Sequence, residues 1–163
     1  MGISGASQIS SLALEDNLKI NLSSGVDETI HKMANAECVF EKSFADKNWN
    51  PPKGYSVLLE IQSPPSRGQI RFHFSHQVLA KLYQNIMNET TNPDGSQVID
   101  CLAEISNVTY GLTKIKLNQE GFNLNMALPY AGKTEDIPVT SGNKTVIPFK
   151  VYGETCFIEV VIL

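Results

Sequence analysis

Apolar and polar positions along the 163-residue chain follow two rhythms, and the switches between them mark out its elements. In "GYSVLLEIQ", Tyr55, Val57, Leu59 and Ile61 alternate with less apolar neighbours; Ile70, Phe72 and Phe74 do the same in "QIRFHF". A period of two marks strands, and the turn residues of "SPPSRG" between them predict an antiparallel hairpin. The rhythm then lengthens. Val78, Leu79, Leu82, Tyr83 and Ile86 recur at helical spacing after Ser75, a suitable N-cap, which predicts a helix to about Met87. "NPDG" breaks the chain, and a second helix is expected over roughly 96–117. On it Val98, Leu102, Ile105, Val108, Leu112 and Ile115 form one stripe that should face a core.

The flanks are read in the same way. "LSSGVDETIHKMANA" predicts a helix capped by Ser23 or Ser24, with Asp27 and Glu28 in its first turn and Val26, Ile30 and Met33 as its apolar face. "ECVFEKSF" predicts a short strand, and further strands are expected at about 122–128, 145–151 and 155–163. Pro148 argues for an edge or a bulge in the penultimate one. Residues 1–17, rich in Ser and Gly, read as a flexible N-terminal segment, and 18–163 as a single domain. Helix, strands, two helices, strands: this order implies an α+β fold with helices packed on an antiparallel β-sheet.

Composition narrows the function. A net charge of −4 with no run of Lys or Arg gives no field for a phosphate backbone, so nucleic acid is not an expected partner. No apolar run reaches the ~18 residues a bilayer requires, and no membrane partner is expected. The first twenty residues lack a basic and an apolar region, so no signal peptide is expected and the chain reads as cytoplasmic. Cys38, Cys101 and Cys156 are odd in number and widely spaced, which fits reduced thiols. Four N-x-S/T sequons, at Asn21, Asn88, Asn107 and Asn143, are read as coincidence. His73 and His76 fall on a polar strand face and a helix start, so no metal site is expected there. Trp49 is read as a packing residue.

The second long helix carries the candidate chemistry. Asp100, Glu104, Asn107, Gly111 and Lys114 form a polar stripe turned roughly 130° from the apolar one. Glu104 and Asn107, at i and i+3, project side by side. Asn and Gly each cost roughly 0.5–1 kcal/mol inside a helix relative to Ala, which suggests a role other than folding. Gly111 lies one turn beyond Asn107 and leaves room for another molecule's backbone.

In "DCLAEISN" (Asp100, Glu104, Asn107), followed by Pro129 in "MALPY", the chain resembles the CheX branch of the CheC/CheX/FliY chemotaxis phosphatases. Their signature is Asp or Ser, three residues, Glu, two residues, Asn, then about 22 residues and a Pro. Here 21 residues separate Asn107 from Pro129, a difference the loop around Gly121 could absorb. "GQIRFHFSHQVLAKLYQNIM", "NVTYGLTKIKL" and "VIPFKVYGETCFIEVVIL" extend the similarity over roughly 20–163. The resemblance implies a phosphatase acting on a phosphorylated CheY-like response regulator. Asn107 would orient the attacking water and Glu104 would pair with the regulator's lysine. Asp100 and Gly111 would contact the partner, and Pro129 would shape the neighbouring loop. It implies no cofactor of its own, the Mg²⁺ being supplied by the regulator. Some relatives carry a second E-x-x-N on the first helix; here Glu28 is followed at +3 by His31, so one site per chain is expected. A homodimer with continuous sheets is also implied, and "TCFIEVVIL", with only Glu159 to blunt an edge, fits it. The alternatives are a non-catalytic regulator-binding module on the same helix face, and a scaffolding protein joined through strands 145–163.

Overall fold

The computed structural model describes residues 11–139 and 141–163. At its centre is the expected hairpin. β3 (Tyr55–Ser63) and β4 (Ser66–Phe74) pair antiparallel from Tyr55↔Phe74 to Ser63↔Ser66. β1 (Cys38–Phe40), β2 (Phe44–Ala45), β5 (Tyr130–Lys133), β6 (Lys144–Val151) and β7 (Glu154–Ile162) complete a seven-stranded antiparallel sheet. Its order is β1-β6-β7-β4-β3-β5, with β2 also paired to β6. Helices α1 (Ser11–Ala34), α2 (His76–Met87) and α3 (Gly95–Gln119) pack on one face.

Strand alternation builds that face. Val57, Leu59, Ile61, Ile70, Phe72, Ile158 and Val160 are all at most 2% exposed and point at the helices. Each such side chain contributes about 1.5–3 kcal/mol when withdrawn from water. Ser75 caps α2 as expected, accepting from the Val78 N–H. Asp94 and Gln97 close a reciprocal capping box that starts α3 (2.9 Å each way).

Four sequence expectations need correction. α1 begins at Ser11, so residues 11–17 are helical, and residues 1–10 lie outside the described part. Ser23 and Ser24 sit mid-helix and do not cap it. Leu14, Leu18, Leu22, Val26, Ile30 and Ala34, spaced by four, are all buried. The polar residues between them masked this stripe, yet Asn17, Asn21 and Ser23 simply bond back to the carbonyls of Ala13, Asn17 and Lys19 at 2.8 Å. Segment 122–128 is not a strand, and the ladder on β3 starts only at Tyr130↔Leu58. β7 is no edge: β6 and β4 flank it, so the edge argument for a dimer fails there. β6 is likewise paired on both sides, and Pro148 is tolerated because its neighbour is interrupted between β1 and β2. The Glu41 N–H donates to the Pro148 carbonyl (2.9 Å), which places the missing Pro148 N–H opposite that break.

The core stripe of α3 also rotates. Val98, Leu102 and Ile105 are buried, Val108 and Leu112 only half-buried, and Ile115 is 59% exposed. Burial continues instead through Thr109, Thr113 and Leu117, where α1 crosses closely at Gly25. The Thr113 hydroxyl donates to the Thr109 carbonyl (2.9 Å), so small hydroxyls stay satisfied in that contact.

The sheet's other face carries an ionic cluster under the loop at 46–52 and the strap at 134–139. Glu159, 2% exposed, accepts from the His73 Nε2–H (2.9 Å), with Arg71 Nη1 at 3.4 Å and Lys144 Nζ at 3.6 Å. Burial lowers the His73 pKa, so the ring is neutral and its Nδ1 accepts from the Ser56 hydroxyl (2.6 Å). Arg71 also donates to the Pro138 carbonyl (2.7 Å), and Lys144 to that of Trp49 (3.1 Å). Trp49 packs as expected, its ring 5.6 Å from His73 and 5.0 Å from Phe157.

Candidate functional site on the outward face of α3

α3 places Asp100, Glu104, Asn107 and Gly111 within an arc of about 60° over about 16 Å of axis. Asp100, Glu104 and Asn107 are exposed and Gly111 is half-buried. Among the described residues, none of the three polar side chains has a hydrogen-bond or ion-pair partner within the chain. Asp100 and Glu104, four apart, are like charges at a spacing that costs a few tenths of a kcal/mol. A Cβ built on Gly111 would meet nothing within 4 Å, so no internal packing requires glycine there. This face therefore carries local helix costs that no contact inside the molecule offsets.

Ile115 continues the Glu104 line three turns on, adding an exposed apolar residue that the sequence had assigned to the core. On α1, Glu28 is engaged by Lys32 Nζ at 2.7 Å, and His31 is exposed. Glu28 thus differs from Glu104, which is unengaged. Pro129 lies off the helix, half-buried just before β5, and α3 packs against β5. The segment leading to it is fastened to α3, because the Tyr110 hydroxyl donates to the Asn125 carbonyl (2.7 Å). Sequence reading missed this tether: Tyr110 lies outside the signature, and an aromatic in a helix reads simply as core.

The face is convex. Neither the groove on the far side of the sheet nor that beside α2 includes Asp100, Glu104 or Asn107. A free amide on an exposed helix face suits insertion into a partner's site better than enclosure of a small molecule. Thiol chemistry is not available alongside it: burial pushes the Cys101 pKa up to about 11. Among the described residues, no group of three or more His, Cys, Asp or Glu could hold a metal ion, and no helix is long and apolar enough to cross a membrane.

The family model for the chemotaxis phosphatase CheX matches residues 55–150, which include all four signature positions. The chain belongs to the CheX family. Among solved structures, a chemotactic CheC-like protein from Shewanella oneidensis MR-1 is similar at TM-score 0.78 and 27% identity, over 91% of this chain and 99% of that one. CheX from Vibrio vulnificus superposes at TM-score 0.76 with 23% identity, over 88% and 97%. A CheX from Borrelia burgdorferi, solved as a CheX–CheY–BeF3–Mg²⁺ complex, reaches TM-score 0.70 at 16% identity, over 88% and 96%. No curated protein matches in sequence. These likenesses bear out the α+β fold and the family resemblance of this CheX-family chain.

Proposed function

We propose that this chain is a phosphatase that hydrolyses the aspartyl phosphate of a CheY-like response regulator. The observation that carries this reading is the idle polar face of α3, with Glu104 and Asn107 side by side and unengaged. Asn107 inserts its carboxamide into the regulator's site, where it accepts from and donates to one water and aligns it for in-line attack. Glu104 pairs with the regulator's lysine and sets register. Gly111 admits the partner's backbone, and Asp100 contacts it at the near end. Phosphoryl transfer asks mainly for positioning and electrostatics, so a neutral amide is sufficient. The chain supplies no metal; the Mg²⁺ belongs to the regulator. The B. burgdorferi CheX, solved with CheY, BeF3 and Mg²⁺, supports the choice of partner. The reading places the chain in the cytoplasm, where phosphorylated regulators act.

The test is the decay of phosphorylated regulator with this chain at substoichiometric concentration. Each molecule should clear many regulators. Unchanged or slowed decay would select a binding module on the same face.

The same reading includes a homodimer, now seated on a different surface from the closing strands. Among the described residues β5 pairs on one side only, and beside it Met126, Leu128, Tyr130 and Leu163 are 56–86% exposed. With Leu58 they line an open groove of about 690 Å³ on the far sheet face. A contiguous apolar surface of this kind marks an interface, and a second copy aligned on the β5 edge would cover it while leaving α3 free. Light scattering at micromolar concentration should give twice the chain mass, and a monomer would remove the dimer from the account.

A further inference from the structure

The extended segment between α3 and β5 is built without a ladder. Its backbone is held mainly by side chains. Asn118 clamps Leu124, accepting from its N–H at 2.7 Å and donating to its carbonyl at 3.3 Å. Ser63 Oγ accepts from the Asn123 N–H at 3.0 Å. Asn125 is the most heavily engaged: its N–H donates to the Gln62 carbonyl (3.0 Å), its Oδ1 accepts from the Gln62 N–H (2.7 Å), and its carbonyl accepts from Tyr110 (2.7 Å). After Asn125 comes a four-residue bridge, Met126 to Pro129, and then the β3–β5 ladder at Tyr130. Met126 and Leu128 are exposed while Ala127 and Pro129 are half-buried, so Ala127 and Pro129 form the bridge's inner side.

Tyr110 is 3% exposed and lies at i+3 from Asn107. A phenylalanine would fill the same core space. What the hydroxyl adds is one bond, from the helix that carries Asn107 to the start of the Pro129 bridge. Burial pushes the Tyr110 pKa up to about 12, so the hydroxyl remains a donor throughout the neutral range.

We propose that Tyr110 is a positioning residue for the phosphatase reaction, holding the inner side of the Met126–Pro129 bridge, Ala127 and Pro129, at the flank of α3 so that the helix presents Asn107 to the regulator in one pose. The proposal rests on the reading of the α3 face given above. It assigns Tyr110 to docking and leaves the water-aligning step to Asn107.

Tyr110→Phe removes the hydroxyl alone. With one such hydrogen bond lost to docking, KM for phosphorylated regulator should rise about fivefold, while kcat stays within about twofold. Amide exchange at 124–129 should quicken and that of α3 should not. Pro129→Ala should raise KM in the same way, and the double variant should be no worse than the worse single one, because both act through one bridge. Unchanged KM in Tyr110→Phe, whatever happens to its melting temperature, would reduce Tyr110 to a structural residue. Effects that multiply in the double variant would equally overturn the proposal. If the wild-type chain shows no turnover, the phosphatase reading fails, and titration with BeF3-activated regulator still decides the role of Tyr110: an affinity unchanged in Tyr110→Phe overturns it.

Discussion

Glu104 and Glu159 are both glutamates on regular elements, and the structure uses them in opposite ways. Glu159 is 2% exposed and faces His73, Arg71 and Lys144, each of which is also bonded to a carbonyl or a hydroxyl. Glu104 is exposed, and nothing among the described residues engages it. Desolvating an ion costs several kcal/mol unless partners are supplied, so a buried, fully partnered glutamate is architecture that pins loops to a sheet. An exposed one, set beside an equally idle asparagine and a glycine with open space, is available to another molecule. The two regions teach that engagement within the chain, more than polarity, separates structural from functional polar residues.

Substitutions can break or sharpen that contrast. The largest expected effect is at the cluster. Glu159→Ala leaves Arg71 and Lys144 buried without their carboxylate and should cost about 3–5 kcal/mol in urea denaturation. A cost below about 1 kcal/mol would mean that the cluster does not hold the far face together. Two glycines inside helices, Gly25 and Gly111, come next. A Cβ at Gly25 would meet Thr113 Oγ1 at 3.1 Å and the Thr109 carbonyl at 3.3 Å, so Gly25→Ala should push these neighbours back by a few tenths of an ångström, at an expected cost of roughly 1–3 kcal/mol. Gly111→Ala has open space and should stabilise the isolated chain by about 0.5–1 kcal/mol, while weakening the regulator complex. If it stabilised the chain and left the complex unchanged, Gly111 would have no docking role.

Much of this was legible in the chain, and the failures have physical causes. The β3–β4 hairpin, α2 and the tail of the sheet follow from strong periodicity and turn chemistry, and the outward stripe of α3 is where the 3.6-residue period puts it. The start of α1 was hidden because Asn17, Asn21 and Ser23, ordinarily cap and turn formers, bond back along their own helix. Ile115 was misplaced because the α1–α3 contact is made by Gly25, Thr109 and Thr113, which no hydrophobic count selects. The 122–128 segment has strand-like residues, but its backbone bonds go to Asn118, Tyr110 and Gln62. Glu159 looked like an edge charge, since nothing local reveals that β7 lies between β6 and β4. For the site, Glu104 and Asn107 stood out as costs on a helix; the tether that leads to Pro129 did not, since it exists only in three dimensions.

The measurement closest to the central claim is the decay of phosphorylated regulator with wild-type chain and with Asn107→Ala. Asn107 faces away from the core, so its removal should leave the circular dichroism spectrum and the oligomer unchanged and could add helix propensity. Turnover should fall by about 10²-fold or more, as when a positioned donor is lost elsewhere, with regulator binding largely retained. Near-full activity from an Asn107→Ala protein with a native spectrum would contradict the account and leave the α3 face as a docking surface only.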